Sequence, residues 1–204
     1  FVGWFAGWDN NRTNSTTNAN RNTYLGAATG HSNRVGEDNV GVGAFADFTN
    51  TNYSRTTFIG ADIDVRNNDV IALGYSADIA GQHAITIGNY SRLWSATGGI
   101  LLGYNSDMNS TADYSVGIGY QANIDESSAV GIGRQIVIQG DSSVGVGAFD
   151  SVAGARSVVI GSASTVTGNN SIAIGSDVRL TANNEVYIGN TTTQNIGGVV
   201  NWTA

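Results

Sequence analysis

Short apolar phrases that end in glycine recur along this chain. They occur twelve times between Tyr24 and Gly189. The spacing of the terminal glycines varies at first and then becomes constant for the last six, which are Gly119, Gly133, Gly147, Gly161, Gly175 and Gly189. A repeat that runs through the whole sequence predicts a solenoid, in which each repeat contacts only its neighbours.

Two positions in each phrase are aliphatic, with one residue between them. Three residues before the glycine, the regular repeats carry Ile or Val. One residue before the glycine, they carry the ladder residues Leu73, Ile87, Ile118, Ile132, Val146, Ile160, Ile174 and Ile188. Spacing by two with β-branched residues predicts a strand that buries one face. We therefore expect both columns to line the inside of the solenoid.

The position between these two columns is small in the regular repeats, as at Ala72, Gly131 and Gly145. It lies on the opposite face of the predicted strand. Small residues let another backbone approach closely, and a coil as short as this repeat buries little apolar surface by itself. We therefore expect this face to pack against a neighbouring chain. The alternative is that tight coils simply tolerate small residues there.

A third aliphatic column lies five residues after the glycine and includes Ile79, Leu93 and Ile138. A glycine often follows two residues later, as at Gly140, where a turn needs positive φ or a close backbone approach. Each repeat thus predicts two short strands and two tight turns. The expected fold is all-β, a parallel β-roll or β-helix solenoid with coils of about 14 residues. We divide the chain into irregular coils at 1–58, regular coils at 59–189 and a C-terminal neck segment at 190–204.

Composition narrows the possible functions. Apolar residues make up 41% of the chain, enough for a core, but the net charge of −7 and the lack of lysine argue against nucleic acid as a partner. The absence of cysteine excludes disulfides and thiolate metal sites. No apolar run approaches the length of a membrane span. We predict no membrane insertion by this segment, no cofactor and no metal. Because Phe1 lies inside a repeat, we expect the chain to be a piece of a longer protein.

Signals for catalysis are weak. His31 and His83 lie in different repeats without a fixed acidic partner. The Gly-X-Gly phrases belong to predicted strands with no helix after them, so they do not indicate dinucleotide binding. Carboxylate pairs such as Asp62 and Asp64 would suit a glycosidase or Ca²⁺ between chains, but nothing distinguishes them from solvated turns. We predict that the chain is not an enzyme.

Binding is expected where the period breaks, because insertions in solenoids form loops on one face. The breaks span residues 9–22, 45–57, 93–99 and 105–114. Aromatic rings beside amide and acidic side chains are suited to holding a sugar. The candidate ligand contacts are Trp8, Phe48, Tyr53 and Trp94.

An alternative explains the aromatic residues at the N-terminus. Trp4, Phe5 and Tyr24 would plug the end of the roll or fill the axis of an oligomer, because the ends of solenoids need capping. Trp94 is the stronger candidate for contact with a ligand. It follows the column residue Leu93 in a longer coil, so we expect it to point away from the interior.

Phrases such as Ser-Ile-Ala-Ile-Gly at 171–175, repeated at a constant interval, resemble the head of YadA-type trimeric autotransporter adhesins. The resemblance covers about residues 59–189 and implies a left-handed parallel β-roll of three intertwined chains. The phrase at 22–26 is similar to repeats of long surface and fibre proteins. The segment 184–203 resembles the one that precedes an endosialidase-type intramolecular chaperone, which trimerises a fibre and then cuts itself off. These resemblances imply a homotrimer.

The functional hypothesis is a structural and adhesive segment of a trimeric extracellular fibre, matured by removal of a C-terminal chaperone. The fibre would belong to a phage, a phage-like device or a bacterial surface, and its receptor would be a cell-surface glycan or protein. One alternative is a YadA-type adhesin head that binds host matrix or cells. A second alternative is a polysaccharide-degrading tailspike. All three place the chain outside the cell, on a virion, a tail fibre or the bacterial surface.

Overall fold

Two long parallel sheets form the molecule. The computed structural model describes residues 1–11 and 19–189. Within them, sheet A comprises β1 (Thr23–Leu25), β2 (Val40–Val42), β4 (Thr57–Ala61), β6 (Ile71–Tyr75), β8 (Ile85–Ile87), β10 (Ile100–Leu102), β12 (Val116–Ile118), β14 (Val130–Arg134), β16 (Val144–Ala148), β18 (Val158–Ser162), β20 (Ile172–Ser176) and β22 (Val186–Ile188). Sheet B comprises β3 (Asp47–Phe48), β5 (Asp64–Val65), β7 (Asp78–Ile79), β9 (Arg92–Leu93), β11 (Asp107–Met108), β13 (Asn123–Ile124), β15 (Val137–Ile138), β17 (Ser151–Val152), β19 (Thr165–Val166) and β21 (Arg179–Leu180).

The chain alternates between the two sheets, so each coil adds one strand to each. Every strand pairs in parallel with its counterpart in the next coil, and equivalent residues face each other, as Val130 faces Val144 and Ile132 faces Val146. Sheet A passes without interruption across residue 58 through the pairing of β2 with β4 and β4 with β6. The predicted all-β parallel solenoid is confirmed, and this register shows that its regular coils have the predicted length. In the part of the chain that the structure describes, no helix is long and apolar enough to cross a membrane.

The interior between the sheets contains one layer of side chains from sheet A and one from sheet B. The second residue of every sheet B strand is buried, as expected for the third aliphatic column, which includes Val65, Ile79, Leu93, Met108, Ile124, Ile138, Val152, Val166 and Leu180. The opposing layer comes from the second residue of the sheet A strands, including Tyr24, Phe58, Ala72, Leu101, Val159 and Ala173. These two layers form a single continuous core.

The predicted orientation of the sheet A strands is wrong. The small column faces inward, and both aliphatic columns face outward. The ladder residues Leu73, Ile87, Ile118, Ile132, Val146, Ile160, Ile174 and Ile188 are half-buried or exposed, and none is buried.

The reason for this orientation is the narrow interior. A Cβ on Gly131 would lie 2.5 Å from Cδ1 of Ile124, and a Cβ on Gly145 would lie 2.6 Å from Cδ1 of Ile138. Large sheet B side chains therefore already fill the space opposite these glycines. In these coils, close packing leaves no room for a β-branched residue opposite Ile124 or Ile138, so their aliphatic residues lie on the outside.

The repeat glycines hold successive coils together at short range. Gly133 has φ of 138°, and a Cβ there would collide with the carbonyl oxygen of Gly147 in the next coil. The same collision recurs along the row Gly119, Gly133, Gly147 and Gly161. Only glycine combines this backbone conformation with this close approach. The glycine that recurs in the other turn, as at Gly140, also lies against a carbonyl of the next coil.

Both turns of each coil contain a non-glycine residue in the left-handed region. In two successive coils these residues are Gln121, Ser128, Gln135 and Ser142, with φ between 53° and 56°. This conformation costs roughly 1 kcal/mol for such residues. The neighbouring coil compensates, since the amides of Gln135 and Ser142 donate to its carbonyl oxygens at 2.8 and 2.9 Å. The turns are therefore stable only within the stack.

Buried serines connect the coils from inside. Oγ of Ser157 donates to the carbonyl oxygen of Gly168 at 2.9 Å and accepts from the amide of Ser171 at 3.1 Å. The amide of Ser157 donates to Oγ of Ser143 at 3.0 Å. In the turns, one backbone amide and one backbone carbonyl are left unpaired by the strand pairing. Each serine hydroxyl accepts from such an amide and donates to such a carbonyl.

Asp150 occupies a position where three other coils carry serine, at Ser91, Ser106 and Ser164. Its equivalent Ser164 donates to the carbonyl oxygen of Gly175 at 3.0 Å and accepts from the amide of Val178 at 3.1 Å. Asp150 is 1% exposed, and its Oδ1 accepts from the amide of Ser164 at 2.8 Å. Its Oδ2 has no hydrogen-bond partner within residues 1–11 and 19–189. Burial raises the pKa of this carboxyl group, although the bond from Ser164 opposes the shift.

We expect Gly133→Ala to lower the free energy of unfolding by at least about 2 kcal/mol, because the methyl group meets backbone in a conformation that suits glycine. The matched control is Gly131→Ala in the same strand. Its Cβ meets a side-chain atom of Ile124 that can move, and Ala72 and Ala173 occupy equivalent inward positions. Urea unfolding followed by circular dichroism measures both changes. An equal loss in the two variants would contradict the proposed backbone contact.

We expect Asp150→Ser to stabilise the protein at pH 7 by about 1 kcal/mol, because serine removes an unpaired buried acceptor. Because the pKa of Asp150 is raised in the folded state, its contribution to stability is complete below its pKa in the unfolded chain, near 4. That contribution is lost as the pH rises through its pKa in the folded protein. The advantage of the serine variant should therefore shrink between pH 7 and pH 4. Thermal unfolding at both pH values, with exposed Asp177→Ser as control, tests this. An advantage that grows on acidification would exclude it.

Candidate ligand-binding surface

The outer face of sheet B carries charged residues in register. The first residue of each sheet B strand is half-buried or exposed, and from β3 to β13 these residues are Asp47, Asp64, Asp78, Arg92, Asp107 and Asn123. Parallel pairing sets each one beside its counterpart in the next coil. Neighbouring strands lie roughly 4.8 Å apart, so carboxylates and a guanidinium group follow one another along this face.

Ion pairs fix two arginines on this surface. Nη2 of Arg66 lies 2.7 Å from Oδ2 of Asp78 and 3.7 Å from Oδ2 of Asp64. Nη2 of Arg92 lies 2.6 Å from Oδ2 of Asp107. These pairs are partly exposed, so each contributes at most about 1 kcal/mol to stability. Their structural effect is to hold both guanidinium groups in place.

Trp94 lies close to both arginines. The guanidinium carbon of Arg92 is 5.6 Å from the centroid of its ring, and that of Arg66 is 6.0 Å away. Both distances are within the range of cation–π attraction. Trp94 is 40% exposed and lies outside the interior, as expected from its position after the buried Leu93. Its role as a ligand contact stays a prediction.

An open groove of about 440 Å³ borders this cluster. Its lining comprises Asp62, Asp64, Ser76, Ala77, Asp78, Tyr90, Arg92 and Asn105. Burial raises the pKa of Asp78, while Arg66 opposes this shift and Asp64 adds to it. Carboxylate acceptors, guanidinium donors and an aromatic ring thus meet in one concave site. Such a combination suits a ligand that carries many hydroxyl groups on an apolar frame.

Two of the four predicted ligand contacts belong to the interior or its margin. Phe48 is 3% exposed, and its ring meets those of Phe58 at 5.1 Å and Tyr24 at 6.4 Å. The prediction that Phe48 contacts a ligand is therefore wrong, because its ring fills the space between the sheets. Tyr53 is half-buried and packs against Phe48 at 6.3 Å.

The fourth candidate, Trp8, lies in an exposed aromatic cluster at the N-terminal end. Its ring meets that of Phe5 edge-on at 4.6 Å. A neighbouring apolar cavity of about 360 Å³ is lined by Trp4, Phe5, Ala28, His31, Phe45 and Asp47. Tyr24, in contrast, is buried and stacks on Phe1 at 5.3 Å. Of the three residues considered as a plug, Tyr24 occupies the interior, and Trp4 lies on the surface.

The groove residues Asp78, Tyr90 and Arg92 were not among the predicted contacts. The sequence contains a signal for two of them, since Asp78 and Arg92 both lie four residues after a repeat glycine. The position four residues after the glycine indicates a binding surface only once that face of sheet B is known to face solvent. Among residues 1–11 and 19–189, no group of three or more His, Asp or Glu side chains is arranged to hold a metal ion.

Comparison with known proteins adds no family to this picture. No protein-family model matches the sequence, and no curated protein matches it. The fold and the chemistry of the outer faces of sheets A and B are therefore the features that bear on function.

Proposed function

We propose that this chain is a structural and adhesive segment of a trimeric extracellular fibre. The observation that carries the proposal is the outer face of sheet A. Its two outward columns run in register along twelve strands, are aliphatic in every strand from β6 to β22, and point away from the core of their own chain.

This outer face is too apolar to remain in water. Its ladder residues Ile87, Ile132, Ile160, Ile174 and Ile188 are 38–45% exposed. Since the strands are in register, these side chains form one continuous apolar band along the molecule. Soluble monomers rarely expose such extended apolar patches. Burial against other copies removes the band from water, and each buried methylene contributes about 0.8 kcal/mol.

A closed ring of identical chains is the arrangement that buries the band in every copy. Closed symmetry prevents the chains from associating side by side into an open-ended polymer. The number three comes from the resemblance of the repeats to YadA-type heads. In this arrangement sheet A faces the axis, and the charged face of sheet B faces outward, where it is available to a receptor.

The extracellular location and the loss of a C-terminal chaperone also derive from resemblance. The neck segment, and most of the segment that resembles the one preceding such a chaperone, fall in residues 190–204, outside the described residues. The polar groove and Trp94 support the adhesive part of the proposal, because they place hydrogen-bonding and aromatic groups on the solvent-facing sheet.

We expect the purified chain to have three times its monomer mass of 21.1 kDa in multi-angle light scattering. Ile132→Asp with Ile160→Asp should convert it to smaller species, because carboxylates cannot be desolvated between the chains. The control is Val137→Asp with Thr165→Asp, which places the same charges on the outer face of sheet B. A folded wild-type monomer would refute the trimer.

Cysteine cross-linking tests the same sheet A interface even if the aspartate variant misfolds. The sequence contains no cysteine, so Ile160→Cys and Thr165→Cys each introduce a single thiol. Oxidation should link two chains through the sheet A position and leave the sheet B position unlinked. Equal cross-linking at both positions would contradict a specific interface on sheet A.

A further inference from the structure

Four exposed tyrosines form a continuous row at one turn of the solenoid, beside the polar groove. The centroid of the Tyr90 ring lies 5.4 Å from that of Tyr75 and 5.8 Å from that of Tyr104, and its plane is inclined by 87° and 79° to theirs, so both contacts are edge-to-face. The rings of Tyr104 and Tyr120 are 5.6 Å apart with planes inclined by 5°. Each of the four is 45% or 46% exposed. We name these four residues the tyrosine row.

We propose that the tyrosine row and the adjoining groove form a binding track for an extended, neutral glycan chain. The proposal specifies the receptor class within the proposed adhesive function. It depends on the outer surface of one chain and not on the number of chains in the assembly.

The stacking of coils does not require these tyrosines. In later coils the equivalent turn positions carry Ser162 and Ala163 or Ser176 and Asp177, and those coils pair in the same parallel register. Contacts between rings contribute about 1 kcal/mol each, but the rings remain half in water. A row of large aromatic side chains in consecutive coils therefore indicates a surface that binds something.

The dimensions of the row suit a sugar polymer. One ring is available for each coil, at intervals of 5.4–5.8 Å, which is comparable with the length of one pyranose residue in an extended chain. A pyranose presents C–H groups on its faces and hydroxyl groups around its rim. Its C–H groups can contact the exposed parts of the tyrosine rings while its hydroxyls reach the carboxylates of the groove.

The groove begins at the tyrosine row, because Tyr90 lines both. Beside that ring lie Asp62 and Asp64 as hydrogen-bond acceptors and Arg92 as a donor. The site can therefore satisfy hydroxyl groups as donors and as acceptors. Hydrogen bonds that involve charged groups are the stronger ones.

Charge favours a neutral glycan over an acidic one. The two arginines nearest the groove already pair with carboxylates, Arg66 with Asp78 and Arg92 with Asp107. Arg134 lies at the opposite end of the row from the groove, close to the rings of Tyr120 and Phe149 at 6.0 and 4.9 Å. Asp62 and Asp64 are exposed, and the whole chain carries a net charge of −7. A uronate or sialic acid polymer would meet repulsion at this surface, whereas a neutral hexose polymer would not.

The test is binding of soluble oligosaccharides to the intact chain by isothermal titration calorimetry. The probes are neutral β-linked gluco-, xylo- and N-acetylglucosamine oligomers of increasing length, with oligogalacturonate as the acidic comparison. We expect at least one neutral series to bind, with affinity that rises until the oligomer spans the four rings. Absence of binding across the neutral series, or binding of the acidic series alone, would overturn the proposal.

Substitutions locate the binding. Tyr90→Ala with Tyr104→Ala should lower the affinity about tenfold or more, whereas the matching phenylalanine variants should retain it, because stacking needs only the ring. Tyr114→Ala is the control, since Tyr114 is exposed but lies outside the tyrosine row. Unchanged affinity in the double alanine variant would place the glycan elsewhere and refute the track.

Light scattering on the same samples separates this proposal from the proposed fibre. If the double alanine variant loses both glycan binding and oligomer mass, the tyrosine row is an interface between copies, and the track is refuted while the fibre stands. If the wild-type protein is a monomer that binds a neutral glycan through the tyrosine row, the trimer is refuted and the track stands.

Discussion

The space between the two sheets is the constraint on which the rest of the structure depends. Each short coil closes around an interior that accepts one layer of side chains from each sheet. Sheet B fills most of that space with residues such as Ile124 and Ile138. Opposite these two residues, sheet A carries glycine, at Gly131 and Gly145, where even a Cβ would crowd the isoleucine side chains. The aliphatic residues of the sheet A strands are therefore forced outward.

Coil stacking follows from a second kind of close contact, between backbones. Each repeat glycine lies against the carbonyl oxygen of its successor, and each turn holds residues in the left-handed region that only the neighbouring coil stabilises. A single coil therefore has no independent stability, and cooperativity extends along the stack. The buried serines add hydrogen bonds between the same coils.

The two outer faces have opposite chemistry, and this difference connects the fold to a function. Sheet A presents an aliphatic band, which is suited to burial against copies of the chain. Sheet B presents carboxylates, paired arginines and Trp94, which are suited to contact with a polar ligand in water. The tyrosine row lies at a turn between the sheets and borders the groove on the sheet B side. Assembly and binding can therefore occupy different surfaces of one short repeat.

The sequence by itself determined the period, the two strands of each coil, their parallel stacking and the buried column that contains Ile79 and Ile138. These features follow from local spacing, because alternation by two and a fixed repeat are properties of the chain alone. Which side of a sheet A strand faces inward was decided only by the tertiary structure, because alternation distinguishes two faces without saying which one is inside. The large residues contributed by sheet B settle that choice by volume. Phe48 likewise became a core residue, and Tyr90 and Arg92 came to share a groove with Asp62 and Asp78, only because the coils stack in this register.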